Sequence, residues 1–126
     1  MEERYERLIN RIRQYDPNCD FSRIESAYVF SKAAHGGQCR VSGEPFIVHP
    51  LEVAYILADL ELDSTSIVAG ILHDILEDTV CTAAQLKEKF GEEIAAIVDG
   101  VTKLGQIPYT TKEEQHVENL RKMFLA

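Results

Sequence analysis

The 126-residue sequence contains no tryptophan and only three cysteines, Cys19, Cys39 and Cys81. Three is an odd number, and the spacing of these cysteines matches no paired zinc-ligand motif. The composition therefore gives no reason to expect a disulfide framework or a cysteine zinc site. We predict reduced, mostly buried thiols.

Long apolar runs are also absent. No stretch of the sequence approaches the roughly 18 consecutive apolar residues that a membrane-spanning helix needs. The first seven residues, Met1 to Arg7, lack the hydrophobic stretch of a signal peptide. We therefore predict a cytoplasmic protein with no membrane partner.

Basic residues are outnumbered, and the net charge is −8 at pH 7. Broad contact with nucleic acid depends on clustered Lys and Arg side chains that neutralise phosphates, so a nucleic-acid partner is not expected. A small nucleotide is still compatible with this charge. A metal ion and a few basic side chains, such as Arg40, can bind its phosphates locally.

The pattern of apolar residues predicts an all-α fold. Apolar residues recur every three or four positions, and alternation of β-branched residues is rare. The first helix is predicted to end near Asp16-Pro17, and Asp20 is predicted to cap the second. A loop is predicted over 36–49, with Pro50 as the first residue of the third helix. Arg4, Arg7 and Arg11 line one side of the first helix, which we interpret as a solvated face rather than an anion site.

The second half of the chain shows further helix signals. Asp63 or Ser64 is predicted to cap a helix that runs through to Leu76. Thr82 and Gln85 form a candidate capping box for the next helix. A helix ending near Gly105, a loop over 105–111 and a last helix holding Val117, Leu120 and Phe124 complete the prediction. With 45% hydrophobic residues and no internal repeat or boundary, residues 1–126 are predicted to form a single domain.

An acidic cluster with one histidine lies at the end of an apolar segment, at His73, Asp74, Glu77 and Asp78. In a continuous helix, these residues are spaced three and four apart and crowd one side. The simplest interpretation is the solvated end of a helix. That interpretation fits poorly, because neighbouring carboxylates repel one another and oppose the helix dipole. A bound cation would reverse both effects, so the cluster indicates a metal site.

A second histidine, His49, directly precedes Pro50 and an apolar helix. Taken alone, it is explained by a bond to the backbone at the helix entrance. Beside the acidic cluster, it is a candidate metal ligand. Imidazole and carboxylate ligands suit manganese, iron or zinc, and a larger share of carboxylate and water favours manganese.

Read together, these segments resemble the N-terminal hydrolase domain of the long RelA/SpoT homologue family, which belongs to the HD-domain phosphohydrolases. The motifs that carry the resemblance are Ala34-His35-Gly36-Gly37-Gln38, Arg40, Ser42-Gly43-Glu44-Pro45, His49-Pro50, Leu72-His73-Asp74, Glu77-Asp78-Thr79 and the stretch from Val98 to Gly105. The resemblance extends along essentially the whole chain. It implies manganese-dependent removal of the 3′-pyrophosphate from the alarmone (p)ppGpp, with GDP or GTP and pyrophosphate as products.

The resemblance also implies roles for individual residues. His49, His73 and Asp74 are expected to hold the manganese ion. Glu77 and Asp78 are expected to orient and deprotonate the attacking water, and one of them later protonates the leaving 3′-oxygen.

Substrate recognition is expected from Arg40 and Ser42, which would bind the guanine or its phosphates. Two other histidines are not expected to take part. His35 is interpreted as a helix-end histidine that donates to a backbone carbonyl, and His116 as a surface histidine.

One feature of the family is missing from the sequence. HD domains complete the metal shell with an aspartate from a later helix, in a Leu-Ala-Asp-Arg-Leu-His-Asn type of segment, and this segment does not occur before Ala126. We therefore expect an N-terminal fragment, weakly active or inactive and able to self-associate, from a protein with C-terminal synthetase and regulatory domains. Two alternatives stay open: an HD phosphohydrolase for another nucleotide, and a noncatalytic regulatory HD module.

Overall fold

Seven α-helices and one isolated β-bridge make up the computed structural model over the residues that it describes, 2–39 and 41–105. The helices are α1 (Glu2–Tyr15), α2 (Phe21–His35), α3 (Val48–Asp59), α4 (Ser64–Leu72), α5 (Ile75–Asp78), α6 (Ala83–Phe90) and α7 (Glu92–Gly105). No β-strand occurs within these ranges, and the all-α prediction is confirmed. The predicted last helix lies outside the described residues.

The predicted capping residues begin their helices as expected. The side chains of Asp20 and Asp63 each accept a hydrogen bond from the backbone N–H three residues further on, at 3.4 and 3.0 Å. Thr82 and Gln85 form both bonds of the capping box, at 3.2 and 2.9 Å. Each bond satisfies a backbone N–H at the start of a helix that has no partner within the helix. These helix starts follow from local sequence alone.

The start of α3 differs from the prediction by two residues. Pro50 was predicted as the first helical residue, but α3 begins at Val48. The backbone N–H groups of Val48 and His49 donate to the carbonyls of Pro45 and Phe46, at 3.1 and 3.0 Å, and so form a turn ahead of the proline. Pro50 fits the first turn because its missing N–H would have had no intrahelical partner. His49 therefore lies inside the helix.

The centre of the core is α4, which packs against α2, α3 and α7. Its residues from Ile67 to Leu72 are all buried. Burial of each large aliphatic side chain contributes about 1.5–3 kcal/mol to folding. A Cβ atom on Gly70 would lie 2.5 Å from Leu57 Cδ1, so glycine at this position allows α3 and α4 to approach closely.

The predicted continuous helix through Leu76 is wrong, because the chain turns at His73 and Asp74 between α4 and α5. The His73 ring donates from Nδ1 to the Gly70 carbonyl at 2.7 Å, and the His73 N–H approaches the same oxygen at 3.5 Å. That carbonyl is the one that a continuing α-helix would offer to the N–H of Asp74. At the end of α4, the Gly70 carbonyl is thus bonded by the His73 ring.

The C-terminus of α1 is anchored to the connection between α3 and α4. The Tyr15 hydroxyl donates to the Leu62 carbonyl at 2.7 Å, and Arg11 Nε lies 3.0 Å from Asp59 Oδ1. Arg4 pairs with Glu44, and Arg7 lies over the Tyr55 ring. The interpretation of this side of α1 is therefore refined to pairing with neighbouring elements.

Tyr15→Phe should lower the free energy of unfolding by about 1 kcal/mol, because it removes one hydrogen bond and keeps the ring. Burial raises the pKa of Tyr15 from its ordinary value of 10 to about 12. The neutral hydroxyl therefore stabilises the fold below pH 10, and this contribution is lost as the pH rises towards 12. Urea titrations at pH 7 and across this alkaline range measure both effects. Tyr55→Phe is the control, and an equal loss in both variants would contradict the role of the Leu62 bond.

No helix in the described ranges is long and apolar enough to cross a membrane. The three thiols are free, and Cys19 and Cys81 are half-buried. Cys39 is exposed because it lies in the loop between α2 and α3. The prediction of mostly buried thiols is therefore wrong for Cys39.

Candidate metal and active site

Two separate turns of the chain bring the candidate ligands together. The first turn of α3 carries His49, whose neighbours Val48 and Pro50 are buried and anchor this end of the helix in the core. The turn between α4 and α5 carries His73 and Asp74, both almost fully buried. Because α3 packs along α4, the start of one helix lies beside the end of the other.

The three side chains converge on one point. His49 Nε2 lies 3.3 Å and His73 Nε2 lies 3.1 Å from Asp74 Oδ2. The two imidazole rings have centroids 5.2 Å apart. One potential ligand atom from each residue lies within 4.8 Å of the other two, a spacing that a single cation can bridge. Adjacent residues can share this point because the chain turns between α4 and α5 instead of continuing as a helix.

The bond to the Gly70 carbonyl determines which nitrogen of the His73 ring faces the cluster. A carbonyl oxygen can only accept, so Nδ1 carries a proton, and Nε2 is the ring nitrogen that faces the cluster. Metal-ligating histidines commonly have this arrangement, in which the second ring nitrogen is held by a carbonyl or carboxylate. Burial lowers the pKa of His73, but the charge and hydrogen bond of Asp74 and the bond to Gly70 outweigh it, so the pKa is raised above its ordinary value.

The two further carboxylates lie on α5, a single helical turn after the cluster. Glu77 is exposed, whereas Asp78 is half-buried and its Oδ2 is buried with no hydrogen-bond partner in the described structure. The Asp78 N–H donates to the Asp74 carbonyl at 2.9 Å, which couples the two aspartates through one turn of backbone. Of the predicted acidic cluster, the buried Asp74 thus lies beside the two histidines, and Glu77 and Asp78 form a separate pair on α5.

The candidate substrate-binding residues belong to the loop between α2 and α3. Ser42 is exposed, and its hydroxyl lies 3.4 Å from Glu44 Oε1. The loop is closed at its base by the bridge between Cys39 and Pro45. Arg40 lies outside the described residues.

His35 is linked to the cluster through Phe46, a connection that its interpretation as a helix-end histidine did not suggest. The ring is buried and stacks on Phe46 with a centroid distance of 4.4 Å, and Phe46 in turn makes an edge contact with His49 at 6.0 Å. Its Nδ1 lies 3.4 Å from the side-chain oxygen of Gln38, and not at a backbone carbonyl as predicted. Burial lowers the pKa of His35, which favours the neutral ring.

Gln38 is a residue near the site that the sequence did not single out. Its side-chain Nε2 donates to the backbone carbonyl of Asp78 at 2.9 Å, across 40 positions of sequence. The only available signal was its place within the Ala34-to-Gln38 motif. A glutamine in a loop has no periodicity or charge that would indicate a role.

Over residues 27–126, the sequence matches the family described as the HD domain. A helical core with paired histidines and an adjacent His-Asp pair is what the structure shows, and the chain belongs to the HD-domain family. Among its relatives, a GTP pyrophosphokinase of Myxococcus xanthus is 52% identical over 118 residues, which is 91% of this chain and 16% of that protein.

Two other relatives are named for the alarmone itself. The bifunctional (p)ppGpp synthase/hydrolase SpoT of Escherichia coli strain K12 is 42% identical over 122 residues, 97% of this chain and 17% of that protein. A Shigella flexneri protein named guanosine-3′,5′-bis(diphosphate) 3′-pyrophosphohydrolase matches with the same identity and coverage. The resemblance to the RelA/SpoT family is confirmed. The chain spans about a sixth of the length of these relatives.

Proposed function

We propose that this chain is the hydrolase domain of a longer RelA/SpoT-type protein and removes the 3′-pyrophosphate from (p)ppGpp in a metal-dependent reaction. The observation that carries the proposal is the convergence of His49, His73 and Asp74 within 4.8 Å, followed one turn later by two further carboxylates. The names of the E. coli and Shigella relatives support the choice of substrate. Residues 1–126 would form one domain, and the cytoplasmic location predicted from the sequence is part of the same proposal.

The donor set fits a divalent metal ion. Two imidazole nitrogens and one carboxylate oxygen face one another, and the other nitrogen of His73 is already held by Gly70. We propose manganese, because this set with water in the remaining positions suits a metal of intermediate hardness. When bound, such an ion polarises a phosphoryl oxygen and neutralises charge that develops during hydrolysis.

The carboxylates of α5 would handle the proton of the attacking water. In the proposed step, Asp78 or Glu77 accepts a proton from the water whose oxygen bonds to the phosphorus attached to the 3′-oxygen. The bond between this phosphorus and the 3′-oxygen breaks. The 3′-oxygen takes up a proton from one of these two residues in its carboxylic acid form, and pyrophosphate leaves. The buried Oδ2 of Asp78 makes it the better placed of the two for the base, since burial strengthens its interaction with a positioned water.

Guanine or phosphate recognition is assigned to Arg40 and Ser42 in the loop that follows α2. A guanidinium binds phosphate oxygens in a bidentate manner and stacks on a base. A serine hydroxyl both donates and accepts, and the present contact of Ser42 with Glu44 is weak enough at 3.4 Å to be exchanged for a substrate contact.

Arg40→Ala should raise KM about tenfold or more and leave the manganese Kd unchanged, because a guanidinium has no acceptor with which to bind a metal ion. Steady-state kinetics and calorimetric titration with manganese measure the two quantities. Arg13→Ala, in exposed residue Arg13 of α1, is the matched control. Equal losses of nucleotide and metal affinity would indicate that Arg40 acts by holding the loop in shape.

The proposed activity is tested by incubating the longer protein that contains this chain with guanosine tetraphosphate and manganese. Release of pyrophosphate together with GDP, abolished by a chelator and restored by manganese, is the expected result. A parallel panel of GTP, ATP and deoxynucleotides distinguishes the alternatives. Faster hydrolysis of another nucleotide would identify a different phosphohydrolase, and metal binding with no turnover of any nucleotide would indicate a regulatory HD module.

A further inference from the structure

Helix α5 has only four residues, and its position depends on contacts outside the helix. A single helical turn is not stable alone, because nucleation costs more than one backbone hydrogen bond returns. Its last carbonyl groups also lack helical partners. Thr79 Oγ1 donates to the Ile75 carbonyl, and Gln38 Nε2 donates to the Asp78 carbonyl at 2.9 Å. One of these two bonds is local, and the other comes from the loop after α2.

Gln38 is itself held on three sides. Its backbone N–H donates to the His35 carbonyl, and its carbonyl accepts from the Phe46 N–H, both at 3.0 Å. Because the amide nitrogen donates to Asp78, the amide oxygen is the atom that faces His35. The neutral His35 ring then donates from Nδ1, and stacking on Phe46 holds this ring in place. The amide of Gln38 is therefore oriented from both ends, although the residue is exposed.

We infer that Gln38 is a positioning residue that ties the loop between α2 and α3 to α5 and so places the Asp78 carboxylate relative to the metal ligands. His35 holds the Gln38 amide in the orientation that this bond requires. The effect on catalysis rests on the proposed function, in which Asp78 acts as the base. The bond links residue 38, at the base of the loop that carries Arg40 and Ser42, directly to the residue proposed as the base. A shift of the loop on substrate binding would thus be passed to Asp78 through one hydrogen bond.

Replacing Gln38 with methionine or glutamate removes the donor and keeps the size of the side chain, since a thioether and a carboxylate can only accept. Both variants should lower kcat about tenfold, the factor expected when one neutral hydrogen bond that orients a base is lost. KM and the manganese Kd should stay within about twofold, because neither the assigned substrate contacts nor the metal ligands change. His35→Phe, which keeps the stack on Phe46 but not the donor, should show a smaller loss of kcat.

A second measurement reports on the position of α5 without relying on turnover. Hydrogen–deuterium exchange over residues 74–80 should become faster in Gln38→Met and Gln38→Glu than in the wild type. Gln14→Met, in exposed residue Gln14 of α1, is the matched control and should change neither exchange nor kcat. Melting temperatures confirm that all variants are folded.

The outcomes separate this inference from the proposed function. An unchanged kcat, a manganese affinity that falls in step with kcat, or a loss confined to KM would each overturn the positioning role. If the wild-type protein does not hydrolyse guanosine tetraphosphate, the proposed function fails. In that case, unchanged exchange over residues 74–80 would overturn the inference, and faster exchange would uphold Gln38 as the residue that positions Asp78.

Discussion

His73→Ala should abolish both manganese binding and hydrolysis, with kcat/KM reduced by about a thousandfold or more. The substitution removes one of three converging ligand atoms, and the loss of several kcal/mol of charge stabilisation corresponds to a factor of that size. It also leaves the buried Asp74 carboxylate without one of the two imidazoles that lie within 3.3 Å of it. Calorimetric titration with manganese and a pyrophosphate-release assay measure the two losses.

A second substitution separates ligation from folding. Asp74→Asn has nearly the same volume and should also lose the metal, because an amide is a much weaker ligand than a carboxylate. Circular dichroism and melting curves should show both variants folded. His116→Ala is the control and should keep metal and activity, since His116 is predicted to be a surface residue. Wild-type manganese affinity in His73→Ala and Asp74→Asn would place the metal site elsewhere.

Asp78→Asn and Glu77→Gln should show the complementary result, with manganese still bound and turnover abolished. Removal of a general base lowers the rate by about a hundredfold to ten-thousandfold. Both residues lie beyond the ligand pair on α5, so neither substitution alters a metal ligand. We expect the larger loss in Asp78→Asn, because the buried Oδ2 of Asp78 is the better placed acceptor.

The measurement for this pair is kcat beside the manganese Kd, with Glu93→Gln in exposed residue Glu93 of α7 as the matched control. Near-normal hydrolysis by Asp78→Asn and Glu77→Gln would refute the role of these carboxylates in activating water. A loss of metal that parallels the loss of turnover would instead assign them to the metal shell.

The sequence by itself determined the class of fold and the starts of α2, α4 and α6. Capping by Asp20, Asp63 and the Thr82–Gln85 pair requires only a side chain and a backbone group within four residues, so local sequence is sufficient to predict it. The spacing of apolar residues likewise indicated helices, because a helix with one buried face, such as α1 with Leu8 and Ile12, carries apolar residues every three or four positions.

The sequence also predicted which side chains belong to the candidate metal cluster. His49, His73 and Asp74 stand in recognisable motifs, and their residue types limit the chemistry to metal ligation or ion pairing. Their convergence was expected from the family resemblance alone and not from their spacing, because His49 is 24 positions away from His73 and only the packing of α3 along α4 brings them together.

The tertiary structure alone decided the finer geometry of the site. A regular helix would have directed adjacent residues about 100° apart, whereas the chain turns at His73 and Asp74, where the buried His73 ring bonds to the Gly70 carbonyl. The contact of Gln38 with Asp78 spans 40 positions and depends on how the loop after α2 lies against α5. Such bonds leave no periodic trace in the sequence, because each depends on the positions of elements that are packed by the core as a whole.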